Sequence, residues 1–384
     1  MIRTHFLLFL AAVYLLALPS AAQQKPKIII DEDALGPATT NLQAILALIQ
    51  SPQTQVLGIT VVSGDGWRDE NVAHTLRMLE IIGRTDIPVV PGAVFPLKNS
   101  PQFIAAWEKR YGKVTYQGAW NWPPGKTHGP FEVPPLIEGE PHTAASTEDA
   151  AHFLVRMVHL YPHQVTIYAG GPLTDLALAI TIDPHFAELA EQLVVMGGSI
   201  HPQTTDPEFL ANPHREFNFW MDPEAAHAVL KANWPRITDT TVDISVKTRL
   251  TKQMIAEIAK SNAPAAQYIA KYAAEDYMWD ELAAIALLDP SIITRTEKLY
   301  LDASTDPGPT YGNTLTWPPG NLPSSLVPNS NIGKDYQPPT DTGCSGGCTG
   351  LNGPPQPVFV NVELDTAKFY QDFVSLMSRP TPKP

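Results

Sequence analysis

The segment Lys27-Ile28-Ile29-Ile30-Asp31-Glu32-Asp33 constrains the fold of this chain more than any other. Three β-branched residues in succession read as a buried strand. Carboxylates at the C-terminal end of such a strand sit where an open α/β sheet places its ligand site. We read Asp31 and Asp33 as facing different ways, one into a crevice and the other bracing the turn. Glu32 is read as turned away from Asp33. Carboxylate oxygens clustered in this way can hold a hard cation or take a proton from water. The plainer reading of the same seven residues is a solvated acidic turn.

Strand and helix patterns alternate after this segment. Helical runs are expected near 42–49, 70–82, 151–158, 173–179 and from 222 onward, and strands near 56–62, 87–90, 165–169 and 193–196. A final strand at 358–362 and a helix at 366–377 close the chain. Repeated β-then-α units imply a parallel sheet with right-handed crossovers. The expected fold is therefore α/β: an open, mainly parallel, Rossmann-like sheet flanked by helices. Residues 23–384 read as a single domain with irregular insertions at about 96–145 and 303–357, both rich in Pro and Gly. A hydrophobic content of 44% supports a normal core.

Residues 1–22 read as a signal peptide: Arg3, an apolar stretch from Phe6 to Leu18, then Ser20-Ala21-Ala22. The apolar stretch is too short to span a bilayer, so the expected location is secreted or periplasmic. Cys344 and Cys348 are the only cysteines. In an oxidising compartment they suit a local disulfide better than a metal site. A net charge of −13 argues against a nucleic-acid partner, and no stable membrane insertion is expected of the mature chain.

Polar groups recur at the predicted strand ends. They are Asp31 and Asp33, Asp65, Thr174 with Asp175, and Met196 before Gly197-Gly198; Glu216-Phe217-Asn218 and Trp279-Asp280 follow. A doubly wound fold would bring such groups to one sheet edge. His74, His201 and His214 are read as core or surface residues.

Three stretches carry a resemblance. They are Ala169-Gly170-Gly171-Pro172-Leu173-Thr174-Asp175-Leu176-Ala177 continuing to Val194-Val195-Met196-Gly197-Gly198; Glu216 to Ala226; and Leu57 to Gly64 with Gly83-Arg84-Thr85-Asp86-Ile87-Pro88-Val89. With these the chain resembles the inosine-uridine preferring nucleoside hydrolases over about residues 27–300 and the final strand and helix. The resemblance implies hydrolysis of the N-glycosidic bond of a ribonucleoside through an oxocarbenium-like transition state. It also implies one Ca²⁺ as cofactor, a small nucleoside as partner and, in many relatives, a homo-oligomer.

Carried over position by position, the resemblance makes Asp33 the base and a metal ligand. Asn41, the carbonyl of Thr174 and Asp280 would complete the metal shell. Asp31, Asn41, Asp65, Met196, Glu216, Asn218, Trp279 and Asp280 would meet the substrate. The chain also departs from the family pattern. The stretch after Asp33 is about three residues longer, and Thr40 and Asn41 fall where two aspartates are usual. Asp65 and Asp175 replace asparagines, and Trp279 stands where members that protonate a purine carry histidine. Glu32 is a candidate to replace lost charge. Two other readings remain open at this point: a non-catalytic nucleoside- or sugar-binding protein of the same fold, and a hydrolase of another glycosyl conjugate.

Overall fold

The computed structural model describes residues 25–319 and 356–383. The segment read as a signal peptide, most of the 303–357 insertion and both cysteines lie outside the described residues.

Nine strands form one sheet in the order β10-β9-β11-β6-β5-β4-β1-β2-β3. They are β1 (Lys27–Glu32), β2 (Gln55–Val61), β3 (Val89–Pro91), β4 (Val165–Ala169), β5 (Gln192–Met196), β6 (Ile237–Thr240), β9 (Ile293–Ala303), β10 (Thr314–Trp317) and β11 (Pro357–Leu364). Strands β7 (Arg249–Leu250) and β8 (Asp276–Tyr277) make a separate antiparallel pair. From β3 through β2, β1, β4, β5 and β6 to β11 every pairing is parallel; β9 and β10 add an antiparallel edge. The expected mainly parallel α/β sheet is what forms. Chain order reverses between β1 and β4, and such a reversal opens a crevice at the carboxyl ends of those strands.

The alternation of β1 assigns its side chains to two cores. Ile28 and Ile30 pack on one face with helices Thr40–Gln50 and Trp279–Leu288. Ile29 packs on the other face with helices Ala150–Leu160 and Thr174–Ile182. Burying each of these isoleucines contributes roughly 1.5–3 kcal/mol, so β1 is anchored on both sides.

Several elements depart from the sequence reading. The 96–145 stretch contains helix Pro101–Tyr111, with Ser100 accepting from the amide of Phe103 at 3.1 Å. Its Ile104 and Trp107 pack on Trp220 and Met221, so this insertion is welded to the body. Its aromatic-rich remainder has no helical repeat to read, which hid the short helix. The insertion assigned from 303 also begins differently. Strand β9 runs to Ala303, and β10 pairs with it antiparallel. β10 is the half-exposed edge strand, and β9 beside it exposes Thr294, Arg295, Thr296 and Lys298, which mask its periodicity. No helix among the described residues is long and apolar enough to cross a membrane.

Candidate active site

A cavity of about 610 Å³ opens over the carboxyl ends of β1, β4 and β5. This volume suits a ligand of nucleoside size. Asn41, Gly170, Met196, Glu216, Asn218 and Asp280 line its polar part. Its aromatic part has two groups. Tyr116 lies 4.9 Å from Phe217 and 6.2 Å from Trp122 between ring centroids. Trp279 lies 4.6 Å from Tyr277 and 6.0 Å from Phe209. Arg249 stacks over Tyr277 at 4.6 Å and is the cation of this lining.

Asp33 lies just beneath the cavity and is buried. The chain leaves the sheet after Glu32, so Asp33 no longer follows the pleat. Its Oδ1 accepts the Asn41 amide at 2.8 Å, and its Oδ2 accepts the backbone N–H of Asp65 at 2.7 Å. Gly64 makes that approach possible, because a Cβ there would overlap the Asp33 carboxylate. Burial, then the charges of Asp65 and Asp280, push the Asp33 carboxyl well above the usual range.

Glu32 is a correction. It shares the face of Ile28 and Ile30 and turns toward the cluster, its Oε2 accepting from Asn41 at 3.5 Å. Its Oε1 is buried without a hydrogen-bond partner. The reading of Glu32 as turned away from Asp33 fails because the chain leaves the pleat one residue beyond Glu32, which brings Glu32 and Asp33 together on the same amide.

Asp31 goes the other way and does not line the cavity. Its Oδ1 accepts the Thr60 hydroxyl at 2.5 Å. Burial, then the neighbouring charge of Asp175, raises its carboxyl. Asp175 in turn accepts the backbone N–H of Ala93 at 2.7 Å. Asp31 therefore braces β1, β2 and the turn after β3, and it stands outside the lining on which the expected substrate contact would be made.

Thr174 opens helix Thr174–Ile182, and its hydroxyl donates to Asp222 at 2.7 Å. It too lies off the cavity lining. Asp280 is the second residue of helix Trp279–Leu288 and is not its cap; it is buried and lines the cavity. Its backbone N–H donates to the Thr40 hydroxyl at 3.1 Å, and that hydroxyl donates to Glu281 at 2.5 Å. Asp65 accepts the Tyr116 hydroxyl at 2.7 Å, and burial pushes it up to about 6.

Glu216 caps helix Phe217–Met221. Its carboxylate accepts the N–H groups of Asn218 at 2.7 Å, Gly198 at 2.8 Å and Phe219 at 3.0 Å. Burial still pushes it up to about 7. Asn218 donates to the carbonyls of Gly170 at 2.9 Å and Met196 at 3.1 Å, tying β4 to β5. Trp279, half-buried, presents a ring to the cavity.

The sequence reading missed Tyr116, Trp122, Glu208, Phe209, Phe217, Arg249 and Glu281 in this lining. The aromatic density of residues 111–122 was the available signal for the first two. For Glu281 the only signal was its adjacency to Asp280. Of the histidines, His74 is buried against Glu138, and His201 and His214 are exposed.

The donor set fits a hard divalent cation in its chemistry. Glu32, Asp33 and Asp280 are all buried; the charge of Asp280 raises both Glu32 and Asp33, and Asp33 adds to the rise of Glu32. Among the described residues no lysine or arginine pairs with them. Hard oxygens of this kind suit Ca²⁺. No three acidic, histidine or cysteine side chains among the described residues already surround one point. The Asn41 amide now turns its N–H₂ toward both carboxylates.

Comparison with known proteins agrees with this geometry. The family model described as inosine-uridine preferring nucleoside hydrolase matches residues 28–371. Uridine nucleosidase 1 of Arabidopsis thaliana is 30% identical over 281 residues, covering 70% of this chain and 75% of the relative. Pyrimidine-specific ribonucleoside hydrolase RihA of Citrobacter koseri is 26% identical over 303 residues, covering 74% and 88%. Among solved structures, the plant nucleoside hydrolase PpNRh1 superposes with a TM-score of 0.65 at 23% identity, covering 93% of this chain and all of that one. The chain belongs to the inosine-uridine preferring nucleoside hydrolase family.

Proposed function

We propose that this nucleoside hydrolase splits pyrimidine ribonucleosides, with Asp33 taking the proton of the attacking water. The observation that carries this reading is Asp33 itself. It is a buried carboxylate at the sheet's switch point, held by Asn41 and the Asp65 amide beneath a nucleoside-sized cavity.

Water attack on the anomeric carbon breaks the N-glycosidic bond; one water proton passes to Asp33, and the base leaves with the bond's electrons. We read Glu216 and Asn218 as the ribose contacts, with Met196 beside them on the cavity lining. Carboxylates without counter-cations stabilise positive charge developing on the sugar. The aromatic groups around Tyr116 and Trp279 offer faces to the base. Asp33, Asn41, the Thr174 carbonyl and Asp280 would hold a Ca²⁺. Bound there, it supplies a Lewis acid for ribose hydroxyls and water.

Two facts support the pyrimidine preference. Trp279 cannot transfer a proton at neutral pH, so protonation of a purine has no donor at that position. Relatives named for uridine and for pyrimidine ribonucleosides match most of the chain. We further read residues 1–22 as an export signal; N-terminal sequencing of the exported protein should begin at Gln23.

The test is ribose release from uridine, cytidine, inosine and adenosine, with Ca²⁺ and with a chelator. Asp33→Asn should lower kcat by roughly 10²–10⁴-fold. Full activity in Asp33→Asn removes it as the base, and faster turnover of inosine than uridine overturns the pyrimidine preference.

A further inference from the structure

We infer that Glu32 is a working member of the cation site, supplying the negative charge that Thr40 and Asn41 lack. This rests on the hydrolase reading only for the presence of a cation.

Three observations place Glu32 in that role. First, it is fully buried, and its Oε1 has no hydrogen-bond partner. An ionised oxygen in that state costs several kcal/mol unless a cation or a proton meets it. Second, its Oε2 shares one Asn41 amide with Asp33. The amide N–H₂ thus holds together two carboxylates that repel. A divalent cation would do the same more strongly, with Asn41 turning its oxygen inward. Third, the fold makes room for this carboxylate. Gly170, at the end of β4 and on the cavity lining, lies so close that a Cβ would overlap Glu32 Oε1. A side chain of no use would not need that space kept clear. The strand alternation that puts Ile28 and Ile30 beneath the helices bearing Asn41 and Asp280 aims Glu32 at the same two residues.

The competing account is a protonated Glu32 that only fills space. Glutamine is isosteric with that neutral acid, so Glu32→Gln separates the two. Calcium titrated calorimetrically into the metal-stripped protein should show at least tenfold weaker binding for Glu32→Gln than for the parent. Without calcium the variant should melt no lower than the parent, because repulsion is relieved. Binding within fivefold of the parent overturns the inference, as does a parent protein that binds no calcium at millimolar concentration. Should Glu32→Gln fail to fold, Glu32→Asp keeps the charge but withdraws it by one methylene, and the same fivefold limit applies. Uridine hydrolysis measured on the same samples keeps the two readings apart. Calcium loss in Glu32→Gln with no nucleoside turned over by the parent sustains Glu32 and removes the substrate. Turnover by the parent with unchanged calcium affinity does the reverse.

Discussion

Glu216 offers a prediction whose size can be worked out atom by atom. Its Oε1 accepts one backbone N–H, from Asn218, and its Oε2 accepts two, from Gly198 and Phe219. Truncation in Glu216→Ala strips all three donors of their acceptor. A buried unsatisfied donor costs about 1–3 kcal/mol. The residue borders the cavity, so water can reach part of the gap and the sum should fall near 3–5 kcal/mol. Glu216→Gln keeps one acceptor oxygen, which can serve Gly198 and Phe219. Its N–H₂ then faces the Asn218 N–H, so one bond is lost and the cost should be about 2 kcal/mol. The assay is urea unfolding at pH 8, since burial pushes Glu216 up to about 7 and the carboxylate must be ionised. The order parent, Gln, Ala is the result required. Equal losses for Gln and Ala, or a loss below about 1 kcal/mol for Ala, would refute the idea that these three bonds hold the start of the helix.

Other perturbations follow from the same geometry. Gly64→Ala puts a methyl into the Asp33 carboxylate; kcat should fall by about 10²-fold or more, and near-normal kcat would show that Asp33 has room to move. Trp279→Ala should raise KM for uridine by roughly fivefold, as expected for about 1 kcal/mol of lost ring contact, with a smaller change in kcat; an unchanged KM removes Trp279 from the base site. Glu208 sets a pH dependence. Burial and the charge of Glu216 push it up to about 8 from 4.5. Its folded form thus holds a proton that the unfolded chain releases, and its contribution to stability declines as pH rises from about 4.5 to 8. Melting of Glu208→Gln across that window should show a flatter slope than the parent, and identical slopes reject the assignment.

What could be read in the sequence follows from which physical signals are local. The apolar run Ile28–Ile30 and the segment Val165–Ala169 are buried on both faces, so no solvent-facing polar residue interrupts the pattern. Their bounds were therefore legible. Strand β9 was not legible, because the consecutive residues Thr294, Arg295 and Thr296, with Lys298 beyond, are exposed, so no in-and-out alternation shows in a region otherwise marked by Pro and Gly. The site shows the same division. Asp33, Asn41, Asp65, Glu216, Asn218 and Asp280 were found because each ends a predicted element or lies in a recognisable motif. Glu208 and Arg249 were not, since only tertiary packing brings helix Pro207–Ala211 and the β7–β8 pair over the cavity.

The misplacement of Asp31 and Glu32 has a single cause with wider consequence. A strand in the middle of a covered sheet must send alternate side chains into two different cores, and β1 is such a strand. Its last two residues are acidic, so each core receives one carboxylate. On the face toward helix Thr174–Ile182, Asp31 meets Asp175 and the Thr60 hydroxyl. That pair lies away from the cavity, and its fixed geometry stiffens the strand end on which Asp33 rides. On the opposite face Glu32 meets an amide, a glycine-made space and two further carboxylates, with its Oε1 left unpartnered. One acid is thus spent on rigidity and its neighbour on excess negative charge beside the cavity. A one-residue slip of β1 would exchange their environments, and the like residues Ile28, Ile29 and Ile30 would largely replace one another in two apolar cores. The register therefore rests on the strand ends, where Lys27 or a carboxylate would have to take an isoleucine's buried place.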